Sequence, residues 1–354
     1  MKFFQSVLLV TALSGFGCAT ENETDADVVL IDQAKMMDME ETDNTDAEAA
    51  MVCEECPVCD DDTPAEMVDE APSRSLNLYQ SADNLYAWRK TRASLDPNAD
   101  VVFYWSGYIY NVMPKDPADY PQRGRVDFGR PLFQFEGFNV ARFAQDGPSD
   151  YFMLSREVSV YKDPTTGRVL NCWTNPLKVD RPEQRVMHVA NDPVNYGVGE
   201  TDFVELGDRI SFFSDIILSY RSPLAGVAEY DAFSAGDVYQ TSELFNYIVA
   251  RDDLEDERVL SAPVEISWTR VGQYLPWMQM GDTRGYLVYH VRGYKVLGGV
   301  DELPGPLLEW TRNVAGEKFL KSPSFIPASY EPNETTWRVF RNALESGDYT
   351  PECE

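Results

Sequence analysis

Val101-Val-Phe-Tyr-Trp-Ser-Gly-Tyr-Ile-Tyr110 decides the fold class. The stretch is aromatic and β-branched and carries no charge, which suits a pleated, half-buried surface and disfavours a helix through lost side-chain freedom. Upstream, residues 81–95 read as a helix, with Leu85, Trp88 and Ala93 at helical spacing and Ser81 placed to cap it. Downstream the strand signal recurs. Residues 151–161 and 167–173 flank the turn-forming cluster Lys162-Asp-Pro-Thr-Thr-Gly167 and read as a hairpin. Further strands are expected over 185–190, 203–220, 238–250, 264–273 and 285–296. Two helices, over 307–314 and 335–344, close the chain, the second after the cap-like entry Pro332-Asn-Glu-Thr335. Short turns join most strands and no regular helical crossovers separate them, so antiparallel pairing is expected. The expected fold is mainly β: a large antiparallel, barrel-like sheet of the lipocalin kind with a few flanking helices, or alternatively a two-sheet sandwich.

The chain begins differently. Lys2 and an apolar run over residues 3–16 lead into Gly15-Phe16-Gly17-Cys18, and a long acidic stretch follows. That order reads as a signal peptide over 1–17, lipidation at Cys18, an acidic disordered tether over 18–75, and a single β-rich domain over 76–354. The lipobox is imperfect, because Gly15 and Phe16 stand where Leu and a small residue are usual. Cleavage after Ala19 is the alternative. The apolar run is shorter than the roughly 18 residues a membrane span needs. The expected location is therefore the bacterial envelope, lipid-anchored, most naturally at the periplasmic face of the outer membrane.

Residues 19–73 hold 19 Asp and Glu against Lys35 alone, more than half of the chain's net charge of −29. Such a segment buries too little apolar surface to offset its chain entropy. The domain is acidic as well, which argues against nucleic acid and against adhesion to anionic head groups.

Of six cysteines, Cys53, Cys56 and Cys59 form Cys-Glu-Glu-Cys-Pro-Val-Cys within the acidic stretch. No fourth ligand lies nearby, so disulfide chemistry in an oxidising compartment is preferred to a metal site. Cys172 and Cys353 either pair or leave Cys172 as a small buried hydrophobe. Neither a metal nor a cofactor is expected. There is no Gly-x-Ser-x-Gly elbow in the mature chain, no Walker loop and no His-Glu-x-x-His, and Gly197-Val-Gly199 lacks the rest of a dinucleotide fingerprint.

Three dense segments stand out. They are Phe135-Glu-Gly-Phe-Asn-Val-Ala-Arg-Phe143; Ser155-Arg-Glu-Val-Ser-Val-Tyr161 with Trp173-Thr-Asn-Pro176 and His188-Val-Ala-Asn-Asp-Pro-Val194; and Ser267-Trp-Thr-Arg-Val-Gly-Gln-Tyr-Leu-Pro-Trp-Met-Gln-Met-Gly281 with Leu287-Val-Tyr-His-Val-Arg-Gly-Tyr-Lys295. Together with Pro332-Asn-Glu-Thr-Thr-Trp337 they resemble a bacterial family designated only as a domain of unknown function, DUF1838. The likeness covers nearly all of 80–345. It implies one domain with an added tether and carries over no activity.

The residues must then be judged on their chemistry. His188 and His290 are the only histidines, and each lies on an apolar strand. A histidine bonded to a neighbouring carbonyl is the ordinary reading, and an acid–base pair of His188 with Asp192 is the sharper one. Arg156 and Glu157 are strand neighbours, so they point to opposite faces, and an inward charge needs a partner such as Asp192 or Arg270. Structural ion pairing competes there with catalytic charge stabilisation. Trp268, Trp277 and Met278 are either core or the wall of a ligand cavity, with Tyr161, Trp173, Glu157, Asn191 and His290 as further contacts. The function expected is binding of a small, largely apolar molecule in an aromatic-lined pocket. The alternative is a cofactor-independent enzyme using His188 and Asp192, with Arg156 or Arg270 stabilising negative charge.

Overall fold

The computed structural model describes residues 73–113, 129–145, 151–178, 180, 182–324 and 333–353. The chain divides into Met1–Glu66 and Met67–Glu354, and every described residue lies in the second unit. Cys18, Cys53, Cys56 and Cys59, with the acidic stretch up to residue 72, lie outside the described residues.

Helix α1 (Ser81–Arg92) precedes strands β1 (Val101–Val112), β2 (Phe133–Gln145) and β3 (Tyr151–Lys162). Four short strands follow: β4 (Cys172–Thr174), β5 (Glu183–Arg185), β6 (Val189–Asn191) and β7 (Tyr196–Val198). Then come β8 (Phe203–Leu206), β9 (Arg209–Arg221), β10 (Val238–Ala250), α2 (Arg251–Glu255), β11 (Glu265–Gly272) and β12 (Tyr286–Val296). Helices α3 (Gly305–Trp310) and α4 (Thr336–Ser346) end the chain. Ten strands form one antiparallel sheet in the order β6-β3-β2-β1-β12-β11-β10-β9-β8, with β7 also on β3, while β4 and β5 make a separate ribbon.

The mainly β, antiparallel expectation holds. The sheet is not a closed barrel, because the strands at its two ends do not pair with each other. It is not a two-sheet sandwich either. Both edges are too short to zip together: β6 and β7 share β3 between them, and β8 has only four residues. Two helices span the gap instead. On α1, Trp88 packs on Phe212 and Tyr247 at ring distances of 5.6 and 5.2 Å, while Arg89 lies 4.1 Å over Tyr151 of β3. On α4, Trp337 packs on Tyr239 of β10 at 4.4 Å. The entry to α4 bonds the β6–β7 segment through Glu334 N to Pro193 O and Asn195 N to Asn333 Oδ1.

Several strands differ from expectation for local reasons. The 203–220 stretch is split into a hairpin by Gly207, which adopts φ 67° and with Asp208 makes the turn between β8 and β9. The 151–173 hairpin starts as expected, with Leu170 N donating to Tyr161 O. Its second arm then leaves the sheet to pair as β4 with β5. The 185–190 stretch breaks into β5 and β6 for the same reason. Phe133–Gln145 is a full central strand that the sequence reading left unassigned.

Alternation gives the sheet two different faces. The inner face carries Phe103, Trp105, Phe135, Tyr161, Trp268 and Tyr289, and faces α1, α4 and the 3-10 turn at Pro276–Met278. The outer face carries Val102, Phe138, Val140, Val158, Val160 and Val296, covered by Leu303, Leu307, Leu308, Phe319 and Leu320. That cover stops at β12. Beyond it the outer face exposes Phe213, Ile217 and Leu244.

Candidate functional site

Register places the site. Arg270 stands on β11 opposite Glu243 of β10 and Tyr289 of β12. Trp268, two residues back, stands opposite Phe245 and Val291 on the same inner face. Across the curl of the sheet, Glu157 stands opposite Asn139 and Asn191, and Tyr161 opposite Phe135. The aromatic wall is continuous. Phe135 lies 5.8 Å from Trp268, 5.3 Å from Tyr289 and 5.5 Å from Tyr161. Trp105 is 5.9 Å from Trp268, and Phe245 stacks on Trp268 at 5.4 Å. Gly137 lets the wall close up: a Cβ there would collide with Ser159 Oγ, the Val158 carbonyl and Trp105 Nε1.

Arg270, Glu157 and Glu243 sit together within this wall. Arg270 Nε lies 3.3 Å from Glu243 Oε1, and Nη2 donates to the Tyr239 hydroxyl at 2.8 Å. Its guanidinium also covers Tyr289 at 4.8 Å and Trp337 at 5.9 Å. Burial pushes the Glu157 carboxyl up to about 7; Glu243 adds to that rise and Arg270 opposes it. Burial raises Glu243 too, against the pull of Arg270. One guanidinium thus serves two carboxyls in a poorly solvated place, so the cluster readily holds a proton near neutral pH. Around it, Trp105 Nε1, Trp268 Nε1, Ser159 Oγ, Asn191 Oδ1 and Arg270 Nη1 are buried with no hydrogen-bond partner among the described residues. Buried polar atoms are nearly always paired in folded proteins, so several together on one face stand out. The arrangement offers an aromatic surround, a donor–acceptor carboxyl and a fixed positive charge.

Of the residues expected from sequence, Glu157, Tyr161, Asn191, Trp268 and Arg270 share this face. Trp173, Trp277 and Met278 form the adjoining packed core. Trp277 is fully buried, with ring contacts to Phe133 at 5.6 Å, Tyr161 at 5.4 Å and Trp173 at 5.7 Å. His188 sits at the sheet edge, where its Nδ1 accepts from Tyr161 N at 3.1 Å and its ring meets Trp310 at 5.0 Å. Burial pulls its pKa down to about 4, so it is neutral. A hydrogen bond to the Leu170 backbone opposes that fall.

Asp192 precedes a cis proline, Pro193, and belongs to another network. It pairs with Arg156 at 2.7 Å and Lys318 at 2.8 Å. Burial works against its charge, but Lys318 and Arg156 hold the carboxyl below its ordinary range. Arg156 also donates to the carbonyls of Lys318 and Lys321, pinning that segment on the outer face. Arg156 and Arg270 therefore stand on opposite faces. His290 is exposed on the outer face, opposite Tyr108 and Thr269. Sequence reasoning missed Glu243, Tyr289, Trp105, Phe135 and Ser159. The signal for Glu243 was available: on 238–250 it alternates with Tyr239, Thr241, Phe245, Tyr247 and Val249, a lone acid on an apolar face.

The family model described as a protein of unknown function, DUF1838, matches residues 98–344. The chain belongs to that family, and the matched span includes every inner-face residue named above. No curated protein matches it.

Proposed function

We propose that this DUF1838 member binds a small, largely apolar molecule against the inner face of its sheet, with one polar group of the ligand at Glu157, Glu243 and Arg270. The carrying observation is the set of buried, unpartnered polar atoms, Trp105 Nε1, Trp268 Nε1, Ser159 Oγ and Asn191 Oδ1, set in an aromatic wall beside Glu157. A site lined mostly by aromatic rings with a few convergent polar groups is the usual form of a small-molecule pocket. N-phenylnaphthylamine, apolar with a single N–H, is a suitable probe. It should bind saturably with enhanced emission, and Trp268→Ala should weaken it about tenfold or more. His290→Ala, on the outer face, should leave it unchanged. Absence of saturable binding, or equal losses in both variants, overturns the reading.

A second reading is an enzyme. Glu157, with its carboxyl at about 7 and Arg270 close enough to act on it, suits general acid–base work better than His188 with Asp192, whose contacts diverge. Turnover tests this reading: Glu157→Gln should keep probe affinity within a few-fold and abolish any turnover that the wild-type chain shows.

The binder is further proposed to be exported and lipid-anchored at Cys18 in the bacterial envelope, with no nucleic-acid partner. The signal-like start supports this, as does a disulfide between Cys172 and Cys353, a bond that persists in oxidising compartments. Mass spectrometry of the mature N-terminus should find lipid on Cys18. A start at Thr20 without lipid mass refutes anchoring and leaves export intact.

A further inference from the structure

A cleft of about 510 Å³ opens between α4 and the end of β9, and its lining includes Tyr220, Arg221, Thr335, Arg338, Arg341 and Glu345. It adjoins the inner-face cluster through Tyr220, which packs on Tyr239 at 4.9 Å. Three guanidiniums against one carboxylate is unusual in a chain with 59 Asp and Glu and only 30 Lys and Arg. Arg341 is fixed, with Nε on Glu345 at 2.8 Å and Nη1 on the Pro223 carbonyl at 2.9 Å. The guanidiniums of Arg221 and Arg338 form no ion pair among the described residues. Burial raises the Glu334 carboxyl's pKa and Asp192 adds to the rise, while Lys318 and Arg338 oppose it.

Arg338 is also misplaced for helix stability. Thr335 caps α4, its side chain accepting from Arg338 N at 3.3 Å, so Arg338 lies in the first turn, where no acid is present. A cation there opposes the helix dipole. An anion in the cleft would relieve that opposition, since it would meet Arg338, the helix N-terminus and the Thr335 hydroxyl together. The Tyr220 Oη is buried and lies beside Thr335.

We propose that this cleft is a second binding site, for the oxyanion group, carboxylate or phosphate, of a small molecule, held by Arg221, Arg338 and Arg341. It does not depend on the inner-face reading. The test is calorimetric titration of the full chain with inorganic phosphate and, separately, with benzoate. At least one should bind saturably at one site per chain, and the Arg221→Gln, Arg338→Gln double variant should weaken it about tenfold or more. Arg312→Gln, a surface change elsewhere, should leave it unaltered. Binding of phosphate alone assigns a phosphoryl group, and binding of benzoate alone a carboxylate. Should the double variant lose its cooperative melt, Arg338→Lys serves instead, keeping the charge but losing bidentate geometry, with a smaller loss of affinity expected. Saturable binding of neither probe, or binding that the Arg variants leave unchanged, overturns the proposal.

Discussion

At the scale of single residues, Glu157 and His188 make opposite demands on pH. Glu157 binds its proton more tightly in the folded chain, at about 7 against an unfolded value near 4.5. Between those values the folded state holds more protons, so this group lowers stability as pH rises. His188 is the reverse: burial brings it to about 4 from 6.5, the unfolded state holds more protons, and stability falls as pH drops through that window. Each effect is on the order of 3 kcal/mol at full size. Because the windows overlap, the two largely cancel in the wild-type chain. Melting temperatures at about pH 5 and about pH 7.5 should therefore separate them. Relative to wild type, Glu157→Gln should make stability rise with pH. His188→Asn, whose amide oxygen can still accept from Tyr161 N, should make it fall. The same sign in both variants would refute the assignment. Lys295 is a third kind of buried charge. Burial pulls its pKa down, and Arg92 and Lys90 add to that. Yet its Nζ meets the Lys90 carbonyl at 2.7 Å, the Ala93 carbonyl at 3.1 Å and Ser261 Oγ at 3.1 Å. Three acceptors match the three N–H groups of an ammonium, and two of them are carbonyls at the C-terminal end of α1. None of this was legible in the sequence, because it depends on which strand brings a residue under which helix.

At the scale of elements, periodicity was legible and partnership was not. The strand at 101–112, the helices at α1 and α4 and the long strands β10 to β12 all follow from local pattern. Arg270 and Trp268 could be put on one face from their spacing alone. What the sequence could not supply was the crossing of the curl that brings Glu157 of β3 into the field of Glu243 of β10. That contact is non-local, and no motif encodes it. The ribbon of β4 and β5 shows the same limit. Its stability rests on distant chain: Cys172 of β4 bonds to Cys353 across a separation of 181 residues, and the Tyr349 hydroxyl donates to the Arg185 carbonyl at 2.6 Å. A disulfide closing so long a loop restricts the unfolded chain strongly. Its loss should cost about 2–4 kcal/mol. Reductant should lower the wild-type melting temperature toward that of the Cys172→Ser, Cys353→Ser double variant, and leave the variant itself unmoved. Reductant with no effect on the wild type would mean the bond is absent or contributes nothing.

At the scale of the whole molecule, the open sheet explains why a barrel was the natural expectation and why it failed. Ten strands curl far enough to bring β3 and β10 near each other, yet helices, not strand pairing, bridge the ends. Strand counting reads the curl and misses the bridge. The same scale governs the acidic segment before the domain. The first described contacts of the domain are the Ser73–Asp256 bridge, Arg74 N on the Glu255 carbonyl and the Arg74–Asp83 ion pair. A chain beginning at Met67 retains all of them and sheds most of the acidic segment. That segment offers charge and little apolar surface, so it has nothing to add to a core. Its acids do repel those of an already acidic domain, an effect that matters at low salt and fades as the Debye length shortens. The shortened chain should therefore melt cooperatively within about 2 °C of the chain beginning at Cys18 at physiological ionic strength, and slightly higher at low salt. It should also bind N-phenylnaphthylamine equally well. A fall of many degrees would mean that the acidic segment packs on the domain, and a loss of probe binding alone would mean that it completes the site.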